Sequence, residues 1–454
     1  MTILHADSAL LPEGWARDVR IEITPSGHFG QIATDAAPGT AIRVATLLPA
    51  PANVHSHAFQ RAMAGLSETR GPQGRDSFWT WRQLMFRFLD QLTVEDIRAI
   101  TAMVQMEMLE AGYAASGEFH YLHHQPGGTP YDNLAETAVA ICEAAQMTGI
   151  GLTLLPVHYQ FGGVDQRPLA PGQIRFGTKP DQFLKLLEAS QKAAAPLPAD
   201  TAIGVAPHSL RAVAPDTLRE IAKTAQGPVH MHLAEQVPEV EEVEAAYGAR
   251  PVTWMLENCP PDPRWCLIHC TQMTPEETQS LAATGAVAGL CPITEASLGD
   301  GIFDGARWLE SGGRIGVGSD SNIRIALSEE LRQLEYSQRL RDRGRAILAN
   351  PGGSTGRRLF DAVCAGGAQA VARNSGRIAT GALADFIALD GSAPDLAGRS
   401  EDQVLDTWIF ARDDRLVSDV WSAGRHMVQQ GRHKQHEAIS AAFGETLARL
   451  SSAI

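Results

Sequence analysis

The feature that most limits how this chain can fold is a recurrence: short apolar runs that each end abruptly in polar residues, separated by stretches of helical period or composition. Eight such runs occur, at 45–57, 113–121, 150–158, 201–208, 227–235, 265–269, 286–294 and 314–320. Between them lie helix-like stretches at 94–111, 134–148, 179–193, 215–225, 238–246, 275–284 and 306–311. Alternation of this kind over roughly 250 residues or more predicts an α/β fold, a closed (β/α)8 barrel of the TIM type, whose chemistry sits where its strands end. Polar residues gather at those ends: His55, His57, Glu118, His120, Tyr121, His158, His208, His232, Glu235, His269, Thr294, Glu295 and Asp320. Packing explains any one of them but not the whole series.

A chain of 454 residues is long enough for a barrel and a smaller companion. Both ends are rich in β signals, so residues 1–48 and 376–430 are expected to fold together as a small β-sandwich domain beside a barrel at 49–375, with a C-terminal helix in 431–454. The connection from 58 to 112 is far longer than a usual barrel loop. It carries Arg70, Gly71, Pro72, Gly74, Arg75 and the aromatic patch Phe78-Trp79-Thr80-Trp81-Arg82. A lid over the catalytic face and a helical hairpin packing its tryptophans on the barrel are equally good expectations.

A formal net charge of −14, without a Lys/Arg block, repels phosphate backbones and anionic lipid, so neither nucleic acid nor a membrane is an expected partner. Six scattered cysteines without a CxxC pair suit reduced thiols, and Met1 to Trp15 carries no basic start followed by an apolar core. A cytoplasmic protein is expected.

His55-Ser56-His57 is the first chemical anchor, because side chains at i and i+2 of a strand face the same side and can share one ion. His230-Met231-His232 repeats the spacing on the fifth run, with Glu235 three residues on, and leaves His230 and His232 as competing ligands. His269 ends the sixth run and Asp320 the eighth, within Gly316-Val317-Gly318-Ser319-Asp320-Ser321. Three histidines and one aspartate fit a zinc site with room for water, leaving His269 and Glu235 for proton work; such a donor set also suits iron and other divalent ions.

The set His55, His57, His232, His269 and Asp320 on runs one, five, six and eight resembles the amidohydrolase superfamily, and the pairing of His232 with Glu235 resembles its amine-releasing branch. The resemblance implies metal ligation by His55, His57, His232 and Asp320, with Glu235, His269 and Asp320 as catalytic groups. Binuclear members usually carry a modified lysine at the end of strand four; Pro207-His208 stands here, which implies a single ion. Further segments, among them Leu11-Pro12-Glu13-Gly14-Trp15-Ala16, His55-Ser56-His57-Ala58-Phe59-Gln60-Arg61, Glu118-Phe119-His120-Tyr121, His208-Ser209-Leu210-Arg211 and Glu335-Tyr336-Ser337-Gln338-Arg339-Leu340-Arg341, are similar to the formimidoylglutamate deiminase family over nearly the whole chain. That likeness implies hydrolysis of N-formimidoyl-L-glutamate to N-formyl-L-glutamate and ammonia in histidine breakdown, by a metal-activated water, with one zinc ion and a homodimer. It also implies that Gln60, Arg82, Tyr121, His208 and Arg211 bind a small dicarboxylate, which an acidic protein can hold only through local guanidinium groups. Asn322 departs from the pattern, standing where a histidine is often seen. Two other expectations remain open: a zinc deaminase of a purine, pterin or triazine, and a catalytically dead barrel used as a scaffold.

Overall fold

A computed structural model describes residues 2–68 and 78–452, with the side chains of 78–80 and 83 outside its described part. Arg70, Gly71, Pro72, Gly74 and Arg75 of the long connection lie outside the described residues, as do the side chains of Phe78, Trp79 and Thr80.

The eight apolar runs become eight parallel strands: Ala52–Ser56, Ala115–His120, Gly151–His158, a fourth in two pieces at Ala202–Ile203 and Ala206–Pro207, then Val229–Leu233, Trp265–His269, Val287–Leu290 and Arg314–Val317. Regular pairing runs from the first to the fourth strand and from the fifth to the eighth. Single parallel bridges join the two halves at Val205 with Val229 and at Ser56 with Asp320. The second seam is sealed by two backbone bonds of 2.9 Å, His57 N–H to Asp320 O and Asp320 N–H to His55 O. That seam lies at His55, His57 and Asp320, so the bonds between the first and eighth strands also bring these three side chains together. A Cβ on Gly318 would overlap the backbone of His55, so only glycine lets the eighth strand pass this close to the first.

All residues of the first, second, third, fifth, sixth and seventh strands are buried, as expected for a parallel sheet covered on both faces. Apolar side chains such as Leu154, Val157 and Leu267 are each worth roughly 1.5–3 kcal/mol on burial. The outer helices start where proline permits: Pro180–Ala194, Pro215–Thr224, Val237–Tyr247, Pro251–Asn258 and Pro275–Ala282 each carry proline in the first two positions, where no amide donor is missed.

The run 45–57 is not one strand. It splits into Ile42–Pro49, which belongs to a different sheet, and the first barrel strand. Pro51 has no amide to continue the first ladder; Ala50 N–H turns to Asp385 O and Pro51 O accepts from Ala114 N–H. The run 286–294 likewise ends as a strand at Leu290, because Pro292 opens the helix Pro292–Leu298. Both chain ends supply one eight-stranded sheet, ordered Arg432–His433, Arg425–Gln429, Val417–Ser422, Phe386–Leu389, Ile42–Pro49, Thr2–Leu11, Gly14–Ile23 and Phe29–Ala33. Leu4, Ile21, Phe29, Phe386 and Trp421 give it a core of its own. The last helix, His436–Ser451, packs on Val94–Glu110, with His436 Nδ1 2.7 Å from Glu110 Oε1.

Candidate active site

Four donors converge at the strand ends. His55 Nε2 lies 3.1 Å from Nε2 of both His57 and His232, and Asp320 Oδ1 lies 3.5 Å from His55 Nε2 and 3.3 Å from His57 Nε2. One ligand atom from each of the four lies within 4.8 Å of all the others, which suits a shared ion at ligand distances of about 2.0–2.2 Å. The rings are oriented from behind: His57 Nδ1 donates to Phe119 O at 3.0 Å and His232 Nδ1 to His208 O at 3.2 Å, so that Nε2 turns its lone pair to the centre. Burial, then the charge of His57, pushes His55 down to about 3; burial lowers His57 and His232 as well. Burial opposes the ionised form of Asp320, yet His55, His57 and His269 hold it well below the usual carboxylate range. Three neutral imidazoles and one carboxylate fit one divalent cation.

The structure brings His232 into the cluster of four donors and places His230 elsewhere. Both face inward, but His230 lies two residues earlier and one layer deeper, where its Nε2 is 2.7 Å from Ala370 O. Asn322 lies beneath the ligands, taking 2.6 Å from Ser319 Oγ–H and donating to Asp320 O and Ser56 Oγ. Its φ of 54° is a left-handed conformation that asparagine tolerates better than most residues.

The proton-handling candidates flank the centre. His269 Nε2 lies 3.7 Å from Glu235 Oε1 and 3.7 Å from Asp320 Oδ2, while its Nδ1 lies 3.2 Å from Glu295 Oε1. Burial would lower His269, but Glu235, Glu295 and Asp320 outweigh it and raise its pKa well above the ordinary value. Burial raises Glu235, against the lowering charges of His269 and Arg211. Left-handed backbone at Ala234 (φ 51°), His269 (φ 72°) and Asp320 (φ 46°) re-aims the chain just where strands five, six and eight deliver these groups. Glu239 holds the first of those turns, accepting from the amides of Ala234 at 3.2 Å and Glu235 at 3.0 Å.

A cavity of about 550 Å³, open at its mouth, rises from these residues. Gln60, Arg82, Tyr121, His208 and Arg211, the expected substrate-binding residues, all line it. Gln60 Nε2 donates to Tyr121 Oη at 2.8 Å, and Arg211 Nη2 lies 3.8 Å from Glu235 Oε2 and 3.9 Å from Glu239 Oε2. Gln60 Oε1 and Arg211 Nε are buried without a hydrogen-bond partner among the described residues. Burial and the charges of Arg211 and Arg82 keep His208 far below its ordinary pKa, hence neutral.

Two strand-end histidines do not join the cavity. His120 Nε2 bonds Thr137 Oγ1 at 3.0 Å and His158 Nδ1 bonds Thr178 Oγ1 at 2.8 Å; both face the surrounding elements. The next residue in each case, Tyr121 and Tyr159, lines the cavity instead. Tyr159 and Met85 on its wall, and the contact of Glu295 with His269, were not singled out by the sequence. A His-Tyr pair ending both the second and third strands was the available signal for Tyr159.

Residues 46–427 match the family model described as "Amidohydrolase family", and residues 1–43 match "Formimidoylglutamate deiminase HutF, N-terminal domain". The chain belongs to the amidohydrolase family. Within it, the chain is 47% identical to the formimidoylglutamate deiminase of Pseudomonas aeruginosa across 99% of its own length and 100% of the relative's. A solved amidohydrolase from Brucella melitensis superposes with a TM-score of 0.94 at 46% identity, covering 99% of this chain and 100% of that one. An adenosine deaminase from Xanthomonas campestris with bound zinc shares the fold, with a TM-score of 0.82 at 19% identity over 99% and 98% of the two chains. No helix among the described residues is long and apolar enough to cross a membrane.

Proposed function

We propose that this chain hydrolyses N-formimidoyl-L-glutamate to N-formyl-L-glutamate and ammonia, a step of histidine degradation. The observation that carries the reading is the presence of two guanidinium groups, Arg82 and Arg211, in the cavity that rises from a three-histidine, one-aspartate centre. A linear amidine with two carboxylates gives each arginine an anion, whereas a flat purine, pterin or triazine brings none. Support comes from the name of the Pseudomonas relative and from the N-terminal match. Four donors close enough to share one ion speak against an inert scaffold.

His55, His57, His232 and Asp320 would hold a divalent ion, which would lower the pKa of water toward neutrality and polarise the amidine. Asp320, with His269 beside it, accepts the proton of the attacking water. The water oxygen becomes the formyl oxygen, and the terminal amidine nitrogen leaves as ammonia after Glu235 protonates it. Burial favours the protonated form of Glu235, as a donor requires. Arg211, Arg82, Gln60, Tyr121 and His208 hold the substrate.

The proposal extends to zinc as the ion, to a cytoplasmic homodimer, and to residues 1–48 and 376–430 as a unit beside the barrel. Supporting the ion, the location and the unit are, in turn, the zinc named for the Xanthomonas neighbour, six buried cysteines without a disulfide, and the separate core of the terminal sheet. The test is ammonia release from N-formimidoyl-L-glutamate beside guanine by metal-loaded protein. Release from the first alone is expected; no release overturns the reading. Glu235→Gln should keep its metal by elemental analysis and lose on the order of a thousandfold or more in kcat. Turnover near wild type would remove Glu235 from the proton path.

A further inference from the structure

The third barrel strand ends in His158-Tyr159, the same pair that ends the second strand as His120-Tyr121. In both, the histidine turns outward and the tyrosine inward, so Tyr159 meets the cavity from the wall next to Tyr121. Its ring lies edge-on to His208, with centroids 4.5 Å apart, and only 3% of the residue is exposed. A phenol oxygen has two lone pairs and one proton. Arg82 Nη2 donates to Tyr159 Oη at 2.8 Å and Gln173 Nε2 donates to it at 2.9 Å, so both lone pairs are taken. Gln173 is itself fixed, its Oε1 accepting from Ala170 N–H at 2.8 Å. The hydroxyl therefore has one role left, that of donor, and it sits beside a guanidinium group in a buried cavity. Acceptors that suit such a neighbour are anionic.

We propose that Tyr159 is a specificity residue that contacts substrate: it fixes Arg82 and donates its own O–H to the carboxylate farther from the amidine. This deepens the proposed function and rests on it. Arg211, 3.8 Å from Glu235, stands next to the reacting centre and so serves the nearer carboxylate. Arg82 and Tyr159 form a second, more distant anion site, joined by a hydrogen bond rather than an ion pair. The Tyr159–Arg82 hydrogen bond orients the guanidinium from the cavity wall.

The experiment compares wild type, Tyr159→Phe and Gln173→Leu, all metal-loaded, on N-formimidoyl-L-glutamate and on N-formimidoyl-L-norvaline, which keeps the nearer carboxylate and lacks the farther one. For Tyr159→Phe, KM for the glutamate compound should rise about tenfold or more, kcat should stay within about twofold, and metal content should not change. On the norvaline compound, kcat/KM should be the same in wild type and Tyr159→Phe. Gln173→Leu should raise KM for the glutamate compound alone, by less, and carries the test if Tyr159→Phe does not fold. Unchanged KM in these variants, or equal losses on both substrates, overturns the inference while the proposed function stands. A wild type that releases no ammonia from N-formimidoyl-L-glutamate overturns both.

Discussion

Glu295 reaches His269 at Nδ1, the ring nitrogen opposite the one that faces Glu235 and Asp320, and the same carboxylate oxygen accepts 2.9 Å from Cys291 N–H. A ring gripped at Nδ1 presents Nε2 to Glu235 and Asp320 in one orientation. Glutamine keeps that acceptor and leucine does not. Glu295→Gln should therefore retain most of the wild-type kcat, whereas Glu295→Leu should lose about 10–100-fold with metal content and KM little changed. Steady-state kinetics with metal analysis check this, and equal loss in both variants would show that the charge matters rather than the grip. Glu295 was legible only as a polar residue at a strand end, because its partner lies 26 residues away at the end of the neighbouring strand. The pairing of His55 with His57 was legible for the opposite reason: two-residue spacing on a strand reports a shared face directly. That spacing gives the face but not the depth, which is why His230 and His232 could not be separated before the layers of the barrel were in place.

Within the long connection, the elements Ala58–Met63, Phe78–Leu89 and Val94–Glu110 are helical. The helix Phe78–Leu89 brings Arg82 and Met85 over the cavity and rests on the segment after the third strand. Arg175, only 1% exposed, clamps its end by donating to Leu89 O, to Leu92 O and to His124 O, satisfying carbonyls that a helix terminus leaves open. Gly172 completes the seat, since a Cβ there would overlap the ring and Cβ of Phe86. Gly172→Ala should push this helix outward and raise KM for the dicarboxylate severalfold, leaving metal content and the overall fold intact. Unchanged KM would mean that the helix position does not govern binding. The sequence marked this connection by its length and aromatics. Its seat could not be read, because the contacts join segments about ninety residues apart and depend on one absent side chain.

At the scale of the whole molecule, the barrel and the sheet from the two chain ends share one buried ionic junction. Asp200, just before the fourth strand, accepts 2.8 Å bonds from Arg373 and from Arg425, and Arg373 also pairs with Asp385 beside the strand Phe386–Leu389. Four residues distant in sequence thus meet at one point, joining the barrel, the segment after the helix Thr355–Ala370 and the terminal sheet. No residue pattern announces such a junction, whereas alternation of strand and helix announced the barrel. Burial alone would raise Asp200, yet Arg425 and Arg373 hold it down to about 2. A carboxylate whose pKa is depressed on folding adds stability that is complete above its unfolded value of about 3.9 and is lost as the pH falls through the folded value. Its contribution is about 1–2 kcal/mol at pH 7 after allowance for solvent screening. Asp200→Asn removes this and leaves two guanidinium groups without their shared anion, for a total cost of about 2–3 kcal/mol. Urea unfolding of the two metal-loaded proteins at pH 7 should show the variant's lower midpoint, and the gap should narrow as the pH is lowered from about 4 toward 2, because the wild-type carboxylate is then protonated as well. A gap that stays constant over that interval would mean that Asp200 acts through shape rather than charge.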